Sequence, residues 1–501
     1  MSNHFLHDFL RPKSVAIYGA NNTFGTTMGT MLLLSIINSK FKGKIFPIHL
    51  KLDNVLGYKA YKKISDVPIS PDLVIIVLPP KVVPQVLKEC GEKGVKNLVI
   101  ISGGFRELIG DRANSLTEEI IEIANFYGIR FTGPNCLGFN NGWIYPDGEG
   151  KFNTMMMGEQ QQLKRSKFSI ASQSGTLASQ LWLDPEYPDF NPGKSISLGN
   201  EANIELVDFL EYFKNDDETD VIGLYIEEIK SGKQFIQVAK EITPNKPIIT
   251  IYGGGSKAGN RAIKSHTGSI GGNIKIFDAM IKETGIIKTD YVEEFLDISS
   301  ILLTPNFPYP KGNRIGIITF SGGPGALIAN NAERKGLVVP EFSESLQAKF
   351  KNKLPHTASW SNPIDITFDM NIFNLYINFP KMLMKSGEID IIIIYGAMGF
   401  GDMDPTEQQN TQISQHIEMR EDMRERIGEM DKILIPPTIK ASDKYLVPVI
   451  YINPQNYANE WSKKIRGHGG IVFQFWDRPV NALAKICEYA KYRNKFIKKK
   501  I

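Results

Sequence analysis

The segment Lys264-Ser-His-Thr-Gly-Ser-Ile-Gly-Gly272 sets one imidazole, His266, among small residues. Glycines let backbone N–H groups crowd an anion, and the N-terminus of a following helix adds partial positive charge. There a neutral imidazole nitrogen can attack a phosphoryl donor and carry the group. Thr267 and Gly268 belong to the same loop. Two further features suit that chemistry. The apolar run 221–226 ends in Glu227 and Glu228. A carboxylate bonded to one ring nitrogen fixes the tautomer, leaves the other nitrogen free to attack and stabilises the cation that forms. The run 168–171 feeds Ser172-Gln-Ser-Gly-Thr-Leu177, in which Ser172, Ser174 and Gly175 open a helix as a phosphate cradle. Each feature alone has an ordinary explanation: a loop histidine, an N-cap, a solvated strand end. Together they gather at the carboxyl ends of strands, where open α/β sheets collect ligands.

Three segments supply the scaffold, each repeating apolar strand, Gly-rich turn and helix, the pattern of parallel sheets covered by helices. Their boundaries are read as 1–145, 146–308 and 309–501, three consecutive doubly wound α/β domains. The first has strands at 14–18, 44–48, 73–78, 97–101 and 130–131, with Gly19 and Gly25 bounding a phosphate turn. The second has strands at 168–171, 221–226 and 247–252, then the His266 loop and a helix from about Asn273. The third has strands at 314–320, 389–395, 447–452 and 470–475. Asn306-Phe-Pro-Tyr-Pro310 reads as a linker, and the charged, Met- and Gln-rich stretch 402–432 as an insertion. The first segment lacks a strict G-x-G-x-x-G, and no acid ends its second strand to meet a ribose, which weighs against a nicotinamide dinucleotide oxidoreductase.

Composition sets outer bounds. In 501 residues, 42% hydrophobic and 22% charged content describes a globular chain, and a net charge of +4 gives no reason to propose nucleic acid or a membrane surface. Cys90, Cys136 and Cys487 lie far apart without metal-ligand spacing, which suits a reducing cytoplasm and excludes a disulfide framework. No signal peptide is expected, and the apolar runs are too short to span a bilayer.

With these residues in place, the chain resembles the α subunit of the ADP-forming acyl-CoA synthetases, relatives of succinyl-CoA synthetase. The likeness rests on Arg11-Pro-Lys-Ser-Val-Ala-Ile-Tyr-Gly-Ala20, Gly133-Pro-Asn-Cys-Leu-Gly138, Ser172-Gln-Ser-Gly-Thr-Leu177, Ser197-Leu-Gly-Asn-Glu-Ala-Asn203, Tyr225-Ile-Glu-Glu-Ile229, Ser265-His-Thr-Gly268, Ser321-Gly-Gly-Pro-Gly325 and Asn362-Pro-Ile-Asp365. It implies a Rossmann-like coenzyme A domain followed by two flavodoxin-like domains. Coenzyme contacts would fall on Gly19, Ala20, Asn21, Asn22, Thr23, Phe24 and Gly25, on Pro47 and Lys51, and on Pro79 and Pro80, with Asn135 and Cys136 near the thiol. The implied reaction interconverts acyl-CoA, ADP and phosphate with a carboxylic acid, coenzyme A and ATP. It passes through acyl phosphate and a phosphohistidine at His266, with Glu227 or Glu228 as carboxylate partner. The three segments leave no room for an ATP-grasp domain, so a separate β subunit carrying ADP/ATP and Mg²⁺ is expected, in a hetero-oligomer; no metal site is expected here. A catalytically silent acyl-CoA-binding regulatory protein of the same fold is the alternative.

Overall fold

The computed structural model describes residues 4–25, 27–106, 111–155, 165–180, 191–267, 273–367, 369, 371–397, 429–454 and 460–497; the side chains of 111–113, 264–267 and 497 are outside that description. The chain divides into two compact units, Met1–Phe295 and Leu296–Ile501.

The first unit holds two sheets. One is built from β1 (Ser14–Tyr18), β2 (Lys44–Ile48), β3 (Leu73–Ile76), β4 (Asn97–Ile100) and β5 (Arg130–Thr132). These five pair in parallel in the order β2-β1-β3-β4-β5. Helices on both faces leave β1 and β3 wholly buried, hence their unbroken apolar runs. The order reverses between β1 and β3, which opens a crevice beyond their carboxyl ends. At its floor, Gly19 has φ +88°, and a Cβ there would lie 2.0 Å from the Val77 carbonyl oxygen. Only glycine meets both demands. The turn then enters α1 (Met28–Asn38), whose N-cap Thr27 accepts from the Thr30 N–H and donates to the Gly19 carbonyl at 2.9 Å.

The second sheet contains β6 (Phe139–Asn141), β7 (Phe152–Asn153), β8 (Phe168–Ser172), β9 (Lys194–Ser197), β10 (Val221–Ile226), β11 (Ile248–Tyr252) and β12 (Ile287–Thr289). Its order is β12-β11-β10-β8-β9-β6-β7. Five of these strands are parallel, and β6 and β7 extend the sheet antiparallel beyond β9. The sequence reading missed both, because runs of two or three residues carry too little periodicity to register. It also missed β9, whose Lys194 is fully buried yet pairs with Asp216 at 2.8 Å and Glu218 at 2.6 Å. A lysine reads as exposed until its counter-ions are known.

The second unit contains β13 (Ile315–Thr319), β14 (Ile364–Asp365), β15 (Ile391–Tyr395), β16 (Val449–Ile452) and β17 (Ile471–Phe473), in the order β14-β13-β15-β16-β17, all parallel. The Ser321 turn opens a helix, Gly322–Arg334. Most of the expected insertion, 402–428, lies outside the described residues. His468 bonds through Nε2 to Asp431 at 2.8 Å. Among the described residues, no helix is long and apolar enough to cross a membrane.

Gly19→Ala combines a disfavoured φ with a backbone collision, so it is expected to cost about 3 kcal/mol. Denaturant unfolding should show that loss, and calorimetric binding of coenzyme A, the ligand the resemblance implies for this crevice, should fall with it.

Candidate functional site

The residues expected to meet the coenzyme are placed unevenly about the crevice of the first sheet. Ala20 is buried. Asn21 closes the turn, its Oδ1 accepting from the Thr23 N–H at 2.8 Å and from the Thr30 hydroxyl at 3.1 Å. Asn22, Thr23, Phe24 and Gly25 stand exposed at the mouth, Phe24 73% so. Asn22 is anchored through the Asn54 carbonyl and the Leu56 N–H. Across the crevice, Pro79 is exposed and Pro80 half-buried. Lys51 is exposed, with its backbone N–H bonded to His49 Nδ1 at 3.1 Å. Two residues differ from expectation. Pro47 lies inside β2, buried and paired with Ile17, so its ring packs in the core and not on the turn. Cys136 is 4% exposed; burial pushes its thiol up to about 12, and Sγ faces the Ile100 carbonyl at 3.4 Å. Its side chain supports the loop. Asn135, half-buried with φ +59°, is the neighbour that presents a polar group.

The loop after β5 is tied to the loop after β9. Gly133 donates to Leu198 O at 3.1 Å and accepts from Ala202 N at 3.0 Å, and Asn200 N donates to Pro134 O at 2.9 Å. Gly199, at φ +61°, has no room for a Cβ, which would lie 2.3 Å from Pro134 O. The loop after β5, at the carboxyl end of the first sheet, and the carboxyl edge of the second sheet are therefore one surface.

On that edge, β8 is flanked by β9 and β10, so the turn after it reaches both. Ser172 is fully buried, and its hydroxyl is used within the turn, donating to Ser174 O at 2.6 Å and accepting from Ser174 N at 3.1 Å. It shapes the turn and offers no donor to a phosphate. Ser174 and Gly175 are partly exposed at the start of α2 (Gly175–Gln180). The residue between the serines is the one sequence reasoning overlooked. Gln173 Oε1 accepts from the N–H groups of Glu227 (2.5 Å) and Glu228 (3.0 Å), while Nε2 donates to Glu228 O and Glu201 Oε1, each at 2.7 Å.

The two acids look in different directions, as consecutive residues at a strand end must. Glu227 is 5% exposed and accepts from the Tyr225 hydroxyl; burial and that carboxylate hold the phenol above its ordinary pKa. The same hydroxyl lies against Gly253, where a Cβ would approach it to 2.4 Å. Glu228 is partly exposed and stands 4.0 Å from the Arg106 guanidinium, which rises from the loop after β4. Glu201 is 3% exposed at φ +52°, and burial raises its pKa to about 7. Lys230, donating to the carbonyls of Asn200 and Glu201, has its own pKa lowered by burial.

His266 is placed differently from the expected loop. Its backbone lies in the last turn of α3 (Lys257–Thr267), with Thr267 beside it. The helix forms because the Ser256 hydroxyl accepts from the Gly259 N–H at 2.9 Å, an N-cap, and Lys, Ala and Arg then favour helix. Glycine-rich flanks hid this. A helical rise of 1.5 Å per residue carries His266 about 14 Å beyond Lys257. The contacts of its side chain, and Gly268 with residues 269–272, lie outside the described residues. Before α3, Tyr252 stacks on Phe277 of α4 (Ile274–Thr284) at 4.0 Å between centroids, and a Cβ on Gly255 would lie 2.8 Å from Ile274. Among the described residues, no group of three or more His, Cys, Asp or Glu is arranged to hold a metal ion.

Residues 13–142 match the CoA-binding domain family and residues 165–302 the succinyl-CoA ligase-like flavodoxin domain family. Over 400 residues the chain is 36% identical to the α subunit of an ADP-forming acetate–CoA ligase II from Pyrococcus furiosus, covering 80% of this chain and 84% of that one. It is 41% identical over 358 residues to an ADP-forming acetate–CoA ligase of Methanocaldococcus jannaschii, covering 72% of this chain but 48% of that longer one. Among solved structures, an acetyl-coenzyme A synthetase 1 from Candidatus Korarchaeum cryptofilum, described as dinucleotide forming and in complex with phosphate and ADP, aligns with a TM-score of 0.78 at 27% identity, over 99% of this chain and 98% of that one. The chain belongs to the ADP-forming acyl-CoA synthetases, in their α-subunit form.

Glu201 gives the site a signature in solution. Its pKa is raised from 4.5 to about 7 on folding, so the folded state holds a proton that the unfolded state releases. Stability is therefore greatest below about pH 4.5 on this account and is lost as pH rises towards 7. Glu201→Gln should remove that component, flattening the fall of Tm between pH 5 and 8 by roughly 5 °C in a melting series.

Proposed function

We propose that this chain is the coenzyme-binding and phosphohistidine-forming half of an ADP-forming acyl-CoA ligase acting on a small carboxylic acid. The observation that carries the reading is the junction of residues 133–135 with 198–202, which joins the coenzyme crevice to the edge bearing Glu227, Glu228, Ser174 and Gly175. Thioester chemistry and phosphoryl chemistry can then share one intermediate without its release.

In the thioester-cleaving direction, phosphate attacks the acyl carbon of acyl-CoA. The C–S bond breaks, the thiol leaves as coenzyme A, and acyl phosphate remains. A ring nitrogen of His266 attacks its phosphorus, and the P–O bond to the acyl group breaks to release the acid. Phosphohistidine then gives its phosphoryl group to ADP. Gly19 to Gly25 and Lys51 hold the coenzyme's phosphates, Lys51 as a mobile point charge. Asn135 lies at the thiol end. Glu227 is the imidazole partner: it shares a strand face with Tyr225, whose hydroxyl borders Gly253 at the approach to α3. Glu228, paired with Arg106, faces the coenzyme side. Ser174, the N–H of Gly175, Thr267 and Gly268 complete the phosphate contacts.

An ATP-grasp β subunit supplies the ADP/ATP and Mg²⁺ site. The name of the Pyrococcus relative as a subunit supports this, as does the greater length of the Methanocaldococcus one, of which the match spans 48%. The absence of a membrane-length helix among the described residues is compatible with a cytoplasmic enzyme.

With that partner, Mg²⁺, ATP, coenzyme A and acetate, ADP release should depend on every component and fall at least about 1,000-fold in His266→Ala. A wild-type pair that turns over none of a panel of acids but still binds acyl-CoA would instead indicate the catalytically silent regulator. Lys51→Ala should raise KM for coenzyme A about tenfold with kcat nearly unchanged, the mark of lost ground-state binding.

A further inference from the structure

We propose that Gln173, oriented by Glu201, is the positioning residue for the carboxylates of phosphoryl transfer, and that residues 198–205 form the frame setting them against the thiol end of the coenzyme. The inference rests on the function proposed above and adds residues that the reaction scheme does not use.

A glutamine amide has two donor hydrogens and two acceptor lone pairs. Gln173 uses all four: Oε1 on the N–H groups of Glu227 and Glu228, Nε2 on Glu228 O and Glu201 Oε1. The orientation is unambiguous, since two backbone N–H groups can only face the oxygen. With Gln173 7% exposed, water cannot replace these bonds. The backbone where β10 ends, and hence the direction of both acid side chains, is therefore set by one side chain from the neighbouring strand. Strand pairing itself ends earlier: Ile226, paired with Tyr252, is the last β10 residue in register with β11.

Glu201 fixes the amide in turn. Its Oε1 takes the Gln173 donor, and its Oε2 accepts from Leu206 N at 3.3 Å. A buried acid in a left-handed conformation is doubly unfavourable for a residue that only closes a loop, and such features persist where surrounding structure and function demand them. The same loop holds the segment after the acids a second time. Lys230 donates to Asn200 O at 2.9 Å and Glu201 O at 2.6 Å, and the Ser231 hydroxyl donates to Glu205 at 2.7 Å. On its other side the loop grips residues 133 and 134. It thus touches both ends of the reaction path while contributing no group to the chemistry.

The test measures phosphohistidine formation from γ-labelled ATP by the assembled enzyme. Gln173→Leu should slow labelling about 100-fold, the cost of a displacement on the order of 1 Å, with KM for ATP within about threefold of wild type. Hydrogen exchange should quicken at the Glu227 and Glu228 amides. Glu201→Gln keeps an acceptor oxygen and should label within about threefold of wild type, whereas Glu201→Leu should not. Gln173→Asn, which keeps the amide but shortens its reach, should lose about tenfold and serves if the leucine variant fails to fold. Labelling at the wild-type rate in folded Gln173→Leu or Gln173→Asn would overturn the inference alone. A wild-type complex that takes no label overturns the function itself and this inference with it.

Discussion

Four main-chain hydrogen bonds join the end of the first sheet to the second: Gly133 N to Leu198 O, Asn200 N to Pro134 O, Ala202 N to Gly133 O, and Ile204 N to Phe131 O. The residues proposed for coenzyme binding and for the carboxylates lie on either side of this seam. Backbone groups leaving a strand must find partners when buried, and here the last residues of β5 find them in the loop after β9 instead of in solvent. Side-chain bonds extend the seam, with Phe131 N donating to Asn203 Oδ1. The result is that two open sheets, each with a ligand-collecting carboxyl edge, share one edge. Gly199 is the tightest point, where the chains pass too closely for any side chain.

Parallel strands buried on both faces announced themselves through runs such as Val-Ile-Gly-Leu-Tyr-Ile226, and the glycine turn after β1 was legible because only glycine permits its φ and its approach to Val77. The acids at the end of β10 and the Ser–Gly turn after β8 followed from strand ends and helix starts. What stayed hidden is of another kind. Gln173, Glu201 and Tyr225 are ordinary residues until strand order makes them neighbours: β8 and β10 are adjacent in space but separated in sequence by β9. The motif Ser172-Gln-Ser-Gly was noticed for its hydroxyls, yet the hydroxyl of Ser172 turned inward and the carboxamide between them does the organising.

His266 illustrates the limit of local pattern. Gly253-Gly-Gly and the glycines after residue 267 suggested loop throughout, but Ser256 caps a helix that carries the histidine to its final turn. A helix C-terminus bears partial negative charge, which favours an imidazolium over a neutral ring. The placement therefore suits holding the cationic side of the transfer, and Glu227 adds to that stabilisation in the mechanism proposed. Tyr252 stacked on Phe277 ties the strand before α3 to the helix after the histidine.

Phosphorus NMR of the enzyme after ATP and Mg²⁺ are added in the presence of the ATP-grasp subunit tests the central claim most directly. The account predicts a protein-bound phosphoramidate resonance that survives base, disappears in acid or on adding ADP, and is missing in His266→Ala. A phosphoryl group retained by His266→Ala, or none formed while acyl-CoA is still made from the acid and ATP, would contradict it.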